Sequence, residues 1–278
     1  MQKVFCLLKE IAQEIQILLL KSDTNYLESS NSSGDQQLQV DVMADKIIEK
    51  KLLSLDSIKG VCSEEKKEAI LKESGDYLIA YDPLDGSSLF DSNLSIGSIF
   101  GIYTKEFDAK NLKASAYIIY GPRLEIVFGD TKITHLSFDG ENWKEKTPFS
   151  LKEKGKINAT GGTQKNWSNS HRAFIQSLFN EGYRLRYSGG MVPDLHQILI
   201  KGGGLFSYPS TSDAKEGKLR KLFEVFPFAH LFELCGGEAI DGKQRLLDLP
   251  CNSLHETTPC YFGSKQEIQK LKSFFKEN

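Results

Sequence analysis

The stretch Tyr77-Leu78-Ile79-Ala80-Tyr81 runs directly into Asp82-Pro83-Leu84-Asp85-Gly86-Ser87-Ser88. The first five residues have the length and apolar character of a buried strand. Pro83 and Gly86 predict that the chain leaves that strand through a turn. An isolated Asp-Gly pair would read as a solvated turn. Here two carboxylates, a proline and two serines follow a strand end, and a different chemistry fits. Carboxylates at one edge suit a hard cation that prefers oxygen ligands, such as Mg²⁺. The backbone N–H groups of Gly86-Ser87-Ser88 can face an anion, as those of nests and helix N-termini do. A metal bound beside a phosphate is the joint reading.

Composition narrows the classes. The chain has 278 residues, 40% hydrophobic and 26% charged, enough for one large or two ordinary domains. A net charge of −2 with no basic block gives nucleic acid no footprint. No window reaches the roughly 18 apolar residues of a membrane helix. Lys9, Glu10 and Glu14 interrupt the apolar N-terminus, so it is not read as a signal peptide. Cys6, Cys62, Cys235, Cys251 and Cys260 form no CxxC. Reduced thiols and a cytoplasmic location are expected, without structural zinc.

Val4, Leu7, Leu8, Ile11, Ile15, Leu18 and Leu19 recur at helical spacing, predicting a helix over 2–21. Glu28 to Asp35 is polar and predicts a loop. A second helix carries Val42, Met43, Ile47, Ile48, Leu52 and Leu53, with Asp41 at its start, where an N-cap is the ordinary role. Ile58 to Cys62 reads as a strand ending in Ser63-Glu64-Glu65, a second strand end with paired carboxylates.

The runs 98–103, 114–120, 124–128 and 133–138 predict an antiparallel meander. Lys144 to Lys156 marks a subdomain boundary, dividing the chain into 1–150 and 151–278. Beyond it the predicted elements are helices at 167–178, 191–201, 222–235 and 268–275 and strands at 184–188 and 203–208. Gly236-Gly237 would end the third of these helices. Helices and strands mix without strict alternation, which predicts an α+β layered sandwich and not a doubly wound sheet.

The 82–88 motif resembles the signature of the metal-dependent sugar phosphatases. Three further segments resemble class I fructose-1,6-bisphosphatases: Val61-Cys62-Ser63-Glu64-Glu65, Ser95 to Tyr103, and Gly217-Lys218-Leu219-Arg220-Lys221-Leu222-Phe223-Glu224. Pro227 to Glu233 and Gly236-Gly237 continue the last one. The WDxAAG segment of inositol phosphatases is absent.

The resemblance implies a layered αβαβα sandwich, a metal-holding half (1–150) and a sugar-holding half (151–278). It implies that Glu64, Asp82, Asp85, Glu224 and the Leu84 carbonyl hold Mg²⁺, with Mn²⁺ as an alternative. Asp41 and Glu65 would take a proton from the attacking water, and Asp35 would swing in to engage a further metal. Gly86, Ser87 and Ser88 would bind the transferred phosphate, with Asp85 and Glu224 also bordering the substrate. Tyr187, Met191, Tyr208 and Lys218 would hold the sugar and its other phosphate. Arg186 would reach that phosphate from a neighbouring subunit, and Arg220 would sit near the leaving oxygen. The implied reaction removes the C1 phosphate of fructose 1,6-bisphosphate in gluconeogenesis, in a homotetramer. Sedoheptulose 1,7-bisphosphate and inositol phosphates are the alternative substrates, and a non-catalytic phosphate-binding protein is the alternative outside enzymes.

Two departures matter. Thr160-Gly161-Gly162-Thr163 stands where relatives carry an Asn-Glu-Gly stretch that contacts the distal phosphate. The threonine hydroxyls or Asn166 are the candidate substitutes, so strictness of sugar choice is open. Vertebrate relatives hold AMP with a Lys-Tyr pair and an Arg, at positions that here read Asp76-Tyr77 and Thr104. Two cations are lost and an anion gained, so AMP inhibition is expected to be weak. Half-maximal inhibition at micromolar AMP would contradict that.

Overall fold

The computed structural model describes residues 1–22, 26–30 and 36–276. Helices α1 (Gln2–Lys21) and α2 (Gln39–Leu53) lie side by side, preceded or joined by the antiparallel pair β1 (Tyr26–Ser30) and β2 (Gln36–Leu38). Glu28 to Ser30, expected as loop, therefore belong to a strand. Residues 31–35, including Asp35, lie outside the described residues.

Among the described residues the first sheet has eight strands. They are β3 (Ile58–Ser63), β4 (Ile70–Leu71), β5 (Tyr77–Asp85), β6 (Ile96–Tyr103), β7 (Leu112–Tyr120), β8 (Leu124–Gly129), β9 (Ile133–Phe138) and β10 (Trp143–Glu145). Their order is β10-β9-β8-β7-β6-β5-β3-β4, with β3 and β5 parallel and every other pair antiparallel. The expected meander is β6 to β9.

Residues 146–156 cross without helix or strand to a second sheet. It contains β11 (Ile157–Thr160), β12 (Arg184–Leu185), β13 (Leu205–Tyr208), β15 (Glu238–Ile240) and β17 (Cys260–Gly263), in the order β12-β11-β13-β17-β15. A small ladder pairs β14 (Leu219–Arg220) with β16 (Thr257–Thr258). The remaining helices are α3 (Asn169–Asn180), α4 (Met191–Lys201), α5 (Phe226–Leu234) and α6 (Lys265–Lys276).

Alternation along the strands builds the layers. Ala114, Ala116 and Ile118 of β7 face one way and pack with Val4, Leu8, Ile11, Ile15, Ala44 and Ile48 of α1 and α2. Tyr117 and Ile119 face the other way, onto Leu195 and Ile198 of α4 and Phe228 and Phe232 of α5. The same core takes in Phe206 and Phe262 of the second sheet. The far face of that sheet is covered by Phe174 and Leu178 of α3 and Ile268 and Leu271 of α6. The result is the expected αβαβα sandwich, with α4 and α5 as its middle layer.

Local differences from the sequence reading have physical causes. Helix α3 starts at Asn169 because the Ser168 hydroxyl accepts from His171 N at 3.1 Å and caps it. The strand expected over 184–188 pairs only at Arg184 and Leu185. The helix expected over 222–235 begins as a wide π-helical turn, Lys221–Val225, before α5. Gly236, at φ +86°, ends α5 as expected, with Gly237 N donating to Phe232 O at 2.9 Å.

Candidate active site

Strand β5 does not stop at Tyr81. It continues through Asp85, and its register against β6 slips between Asp82, opposite Ile99, and Asp85, opposite Gly97. Three steps on β5 thus match two on β6, which is a bulge. Proline tolerates that position because it has no N–H to lose from the ladder. The Ser98 hydroxyl donates to Pro83 O at 2.6 Å and fixes the bulge. In an unbroken strand residues three apart face opposite sides. The extra residue restores the parity, so Asp82 and Asp85 point the same way.

Glu224 joins them from the π-helical turn. Carboxylate oxygens of Asp82, Asp85 and Glu224 lie within 4.8 Å of one another, and all three residues are buried. The turn is held from both ends. Tyr103 Oη donates to Leu222 O at 3.0 Å, and Arg220 N donates to Glu224 Oε2 at 2.6 Å. Glu64 follows the end of β3, its N–H donating to Tyr81 O at 3.0 Å. Its carboxylate is ion-paired with the buried Arg220 guanidinium.

The electrostatics are those of crowded anions. Burial, then Glu64, Asp85 and Glu224, raise Asp82 well above the carboxylate range. Burial pushes Asp85 up to about 7, although the N–H groups of Val192 and Met191 pull it back. Burial and Glu64 push Glu224 up to about 8, with Arg220 opposing. A donor set made only of oxygen, with excess negative charge in low dielectric, fits a hard divalent cation.

Asp85 has a second attachment. It accepts from Met191 N at 3.1 Å and Val192 N at 2.6 Å, so it caps α4 from 106 residues away. Gly86, at φ +74°, makes the approach possible: a Cβ there would stand 3.0 Å from Gly190 Cα. Ser87 and Ser88 open a short 3₁₀ turn, Ser87–Ser92, directly after it.

Met191 is buried at the first position of α4, and the Leu84 side chain is buried beside the bulge. Gly161 brings Tyr187 and Tyr208 together. A Cβ at 161 would lie 2.6 Å from Tyr208 Cδ2 and 2.8 Å from Tyr187 Oη. Thr160 is not available to a ligand, because its hydroxyl accepts from Ser207 Oγ at 2.9 Å and meets His171 Nε2 at 3.3 Å. Asp41 is buried in the first turn of α2 and lies inside the helix, two residues past its start. Glu65 is half-buried, while Arg186 and Lys218 are exposed.

Sequence reasoning missed Asp45, which accepts from Tyr81 Oη at 2.8 Å and pairs with Lys66 Nζ at 2.8 Å. It ties α2 to β5 and to the turn carrying Glu64 and Glu65. Its spacing of four from Asp41, on one helix face, was the available signal.

This frame and oxygen-only cluster are what the resemblance to the metal-dependent sugar phosphatases implied. The family model described as the N-terminal domain of fructose-1,6-bisphosphatase matches residues 1–139, and that of the C-terminal domain matches residues 151–276. The chain belongs to the fructose-1,6-bisphosphatase family, whose members are phosphoric monoester hydrolases.

Among its relatives, a class 1 fructose-1,6-bisphosphatase of Helicobacter hepaticus is 58% identical over 96% of this chain and 97% of its own length. One of Campylobacter hominis is 54% identical over 99% of this chain and 100% of its own. The crystal structure of Leishmania major fructose-1,6-bisphosphatase in holo form superposes with a TM-score of 0.91 at 31% identity, covering 99% of this chain and 93% of that one. A putative sedoheptulose-1,7-bisphosphatase of Toxoplasma gondii superposes at 0.89 with 28% identity, covering 96% and 91%.

Proposed function

We propose that this chain hydrolyses the C1 phosphate of fructose 1,6-bisphosphate to fructose 6-phosphate with Mg²⁺, as a cytoplasmic step of gluconeogenesis. The observation that carries the reading is the meeting of Asp82, Asp85 and Glu224 in one buried cluster. A sugar bisphosphate brings about four negative charges near neutral pH, and a cluster of bare carboxylates would repel it. A divalent cation held there would neutralise phosphate oxygens, lower the pKa of a bound water and stabilise the departing alkoxide.

The chain's own residues take the remaining roles. Asp82, Asp85 and Glu224, with Glu64 and the Leu84 carbonyl, hold the cation, Mg²⁺ or Mn²⁺. Asp41 and Glu65 accept the proton of the attacking water, and Asp35 serves a further metal. Gly86, Ser87 and Ser88 bind the phosphate under attack through backbone N–H and hydroxyl donors. Arg220 offsets charge near the leaving oxygen. Tyr187, Met191, Tyr208 and Lys218 orient the sugar and its distal phosphate, joined by Arg186 of a neighbouring copy in a homotetramer. Holding the far phosphate lowers the barrier only by fixing in-line geometry. The metal-holding part corresponds to residues 1–150 and the sugar-holding part to 151–278, with Glu224 reaching back across.

One observation favours a second substrate. A putative sedoheptulose-1,7-bisphosphatase shares the fold at 28% identity. Phosphate release from fructose 1,6-bisphosphate, sedoheptulose 1,7-bisphosphate and inositol phosphate, each with Mg²⁺ and with EDTA, tests both. Fastest release from the fructose ester, abolished by EDTA, is expected. No Mg²⁺-dependent release from any of them would leave only a binding protein.

A further inference from the structure

Two hydroxyls of β7 anchor the helices of the middle layer. Ser115 and Tyr117 lie two apart on β7 and share a face. Tyr117 Oη is 2.9 Å from His196 Nδ1 of α4, and Ser115 Oγ is 3.1 Å from His230 Nδ1 of α5. The Tyr117 ring also stacks on Phe228 of α5, with centroids 5.0 Å apart. Each helix therefore hangs on β7 through a histidine. Each is also tied to one carboxylate of the metal cluster. The first N–H groups of α4 hold Asp85, and Glu224 stands two residues before α5.

Glu125 is ionised and can only accept, so neutral His196 turns its Nε2–H toward it, and its Nδ1 accepts from the Tyr117 hydroxyl. His196 Nε2 stands 3.5 Å from Glu125 Oε2 of β8. Glu125 is fixed in turn by His135 Nε2 at 2.7 Å and Arg123 Nε at 2.8 Å. Apolar packing is not directional and resists sliding only through interdigitated shape. Hydrogen bonds have preferred lengths and angles and resist the slide. Val192 and His196 are four residues apart, about 6 Å along one helix face. A displacement at His196 is passed by the rigid helix to the amides that hold Asp85.

We infer that Ser115 and Tyr117 are positioning residues for the metal site: their hydroxyls set α5 and α4, and so the separation of Glu224 from Asp85. The inference rests on the functional reading above, in which these carboxylates hold the cation. Tyr117→Phe and Ser115→Ala each delete one oxygen and keep the packing. The Mn²⁺ dissociation constant is read by EPR on the protein alone, and kcat is read at saturating metal. Each variant is expected to weaken Mn²⁺ about three- to tenfold, the range of one buried hydrogen bond, with kcat within about twofold of the unaltered chain.

A lowered melting temperature with Mn²⁺ affinity unchanged in both variants would overturn the inference and leave an ordinary structural role. A shift in one variant alone removes the other hydroxyl from it. Should Tyr117→Phe not fold, His196→Gln carries the same expectation and the same refutation. An unaltered chain that binds Mn²⁺ but releases no phosphate defeats the functional reading and leaves this test intact. One that binds no Mn²⁺ defeats both.

Discussion

Glu125 and Glu224 are both buried carboxylates in the middle of the molecule, and their surroundings drive them in opposite directions. Glu125 accepts from His135 and Arg123 with His196 beside it, and these donors bring it down to about 2. Glu224 has one backbone donor and Arg220 nearby, against burial and neighbouring carboxylates, and rises to about 8. The first carboxylate is balanced by the donors around it. The second has more negative charge than the protein neutralises, and so asks for something from outside. Burial alone does not mark a functional acid; buried acids crowded against one another are the stronger sign.

The largest expected effect comes from the unbalanced side. Asp85→Ala removes a proposed metal ligand and the cap of α4, and should lower kcat/KM about a thousandfold or more. The fold should survive, because a lost cap costs about 1–2 kcal/mol. Activity within tenfold of the unaltered chain would break the comparison.

Conservative neutralisation should then separate the two acids by sign. Glu125→Gln strips the charge that His135 and Arg123 balance and should cost about 2–3 kcal/mol of stability. Glu224→Gln removes a like charge and should leave the metal-free protein as stable or about 1 kcal/mol more so at pH 8, while activity is lost. Denaturant unfolding checks both. Equal destabilisation would mean that the two sites do not differ as described.

A smaller effect is expected from pH. Asp85 and Glu224 titrate near 7 and 8 in the folded chain, against ordinary values of 3.8 and 4.5. Between those limits these two groups hold more protons folded than unfolded, so their contribution to metal-free stability falls as pH rises. Above the range where His171 and His196, both held low by burial, add the opposite slope, the melting temperature without metal should drop from about pH 7 to 8, and saturating Mg²⁺ should remove most of that slope. A metal-free melting temperature that rises over this range would contradict the assignment.

Much of this was readable in the residues, though not all of it. The apolar run 77–81 announced β5, and Asp82 and Asp85 behind it announced two of the three clustered carboxylates; Glu224 came only from the resemblance, and Glu64 pairs with Arg220. The bulge was hidden because Pro83 and Gly86 are also turn formers, and only the pairing with β6 decides between them. The π-helical turn was hidden because one added residue leaves the apolar pattern of 222–234 helical in appearance. Strands β11, β15 and β17 are three or four residues long, too short for alternation to speak. The Glu125 network draws on β7, β8, β9 and α4, and no local spacing joins residues 117, 125, 135 and 196. Asp35, expected to move toward the site, lies outside the described residues.

The most direct test is anomalous diffraction from crystals grown with Mn²⁺. The account predicts a peak bounded by Asp82, Asp85 and Glu224, with carboxylate oxygens at about 2.0–2.3 Å, a range set by Mg²⁺ and Ca²⁺ sites. A peak elsewhere, or none between these three side chains at millimolar Mn²⁺, would contradict it.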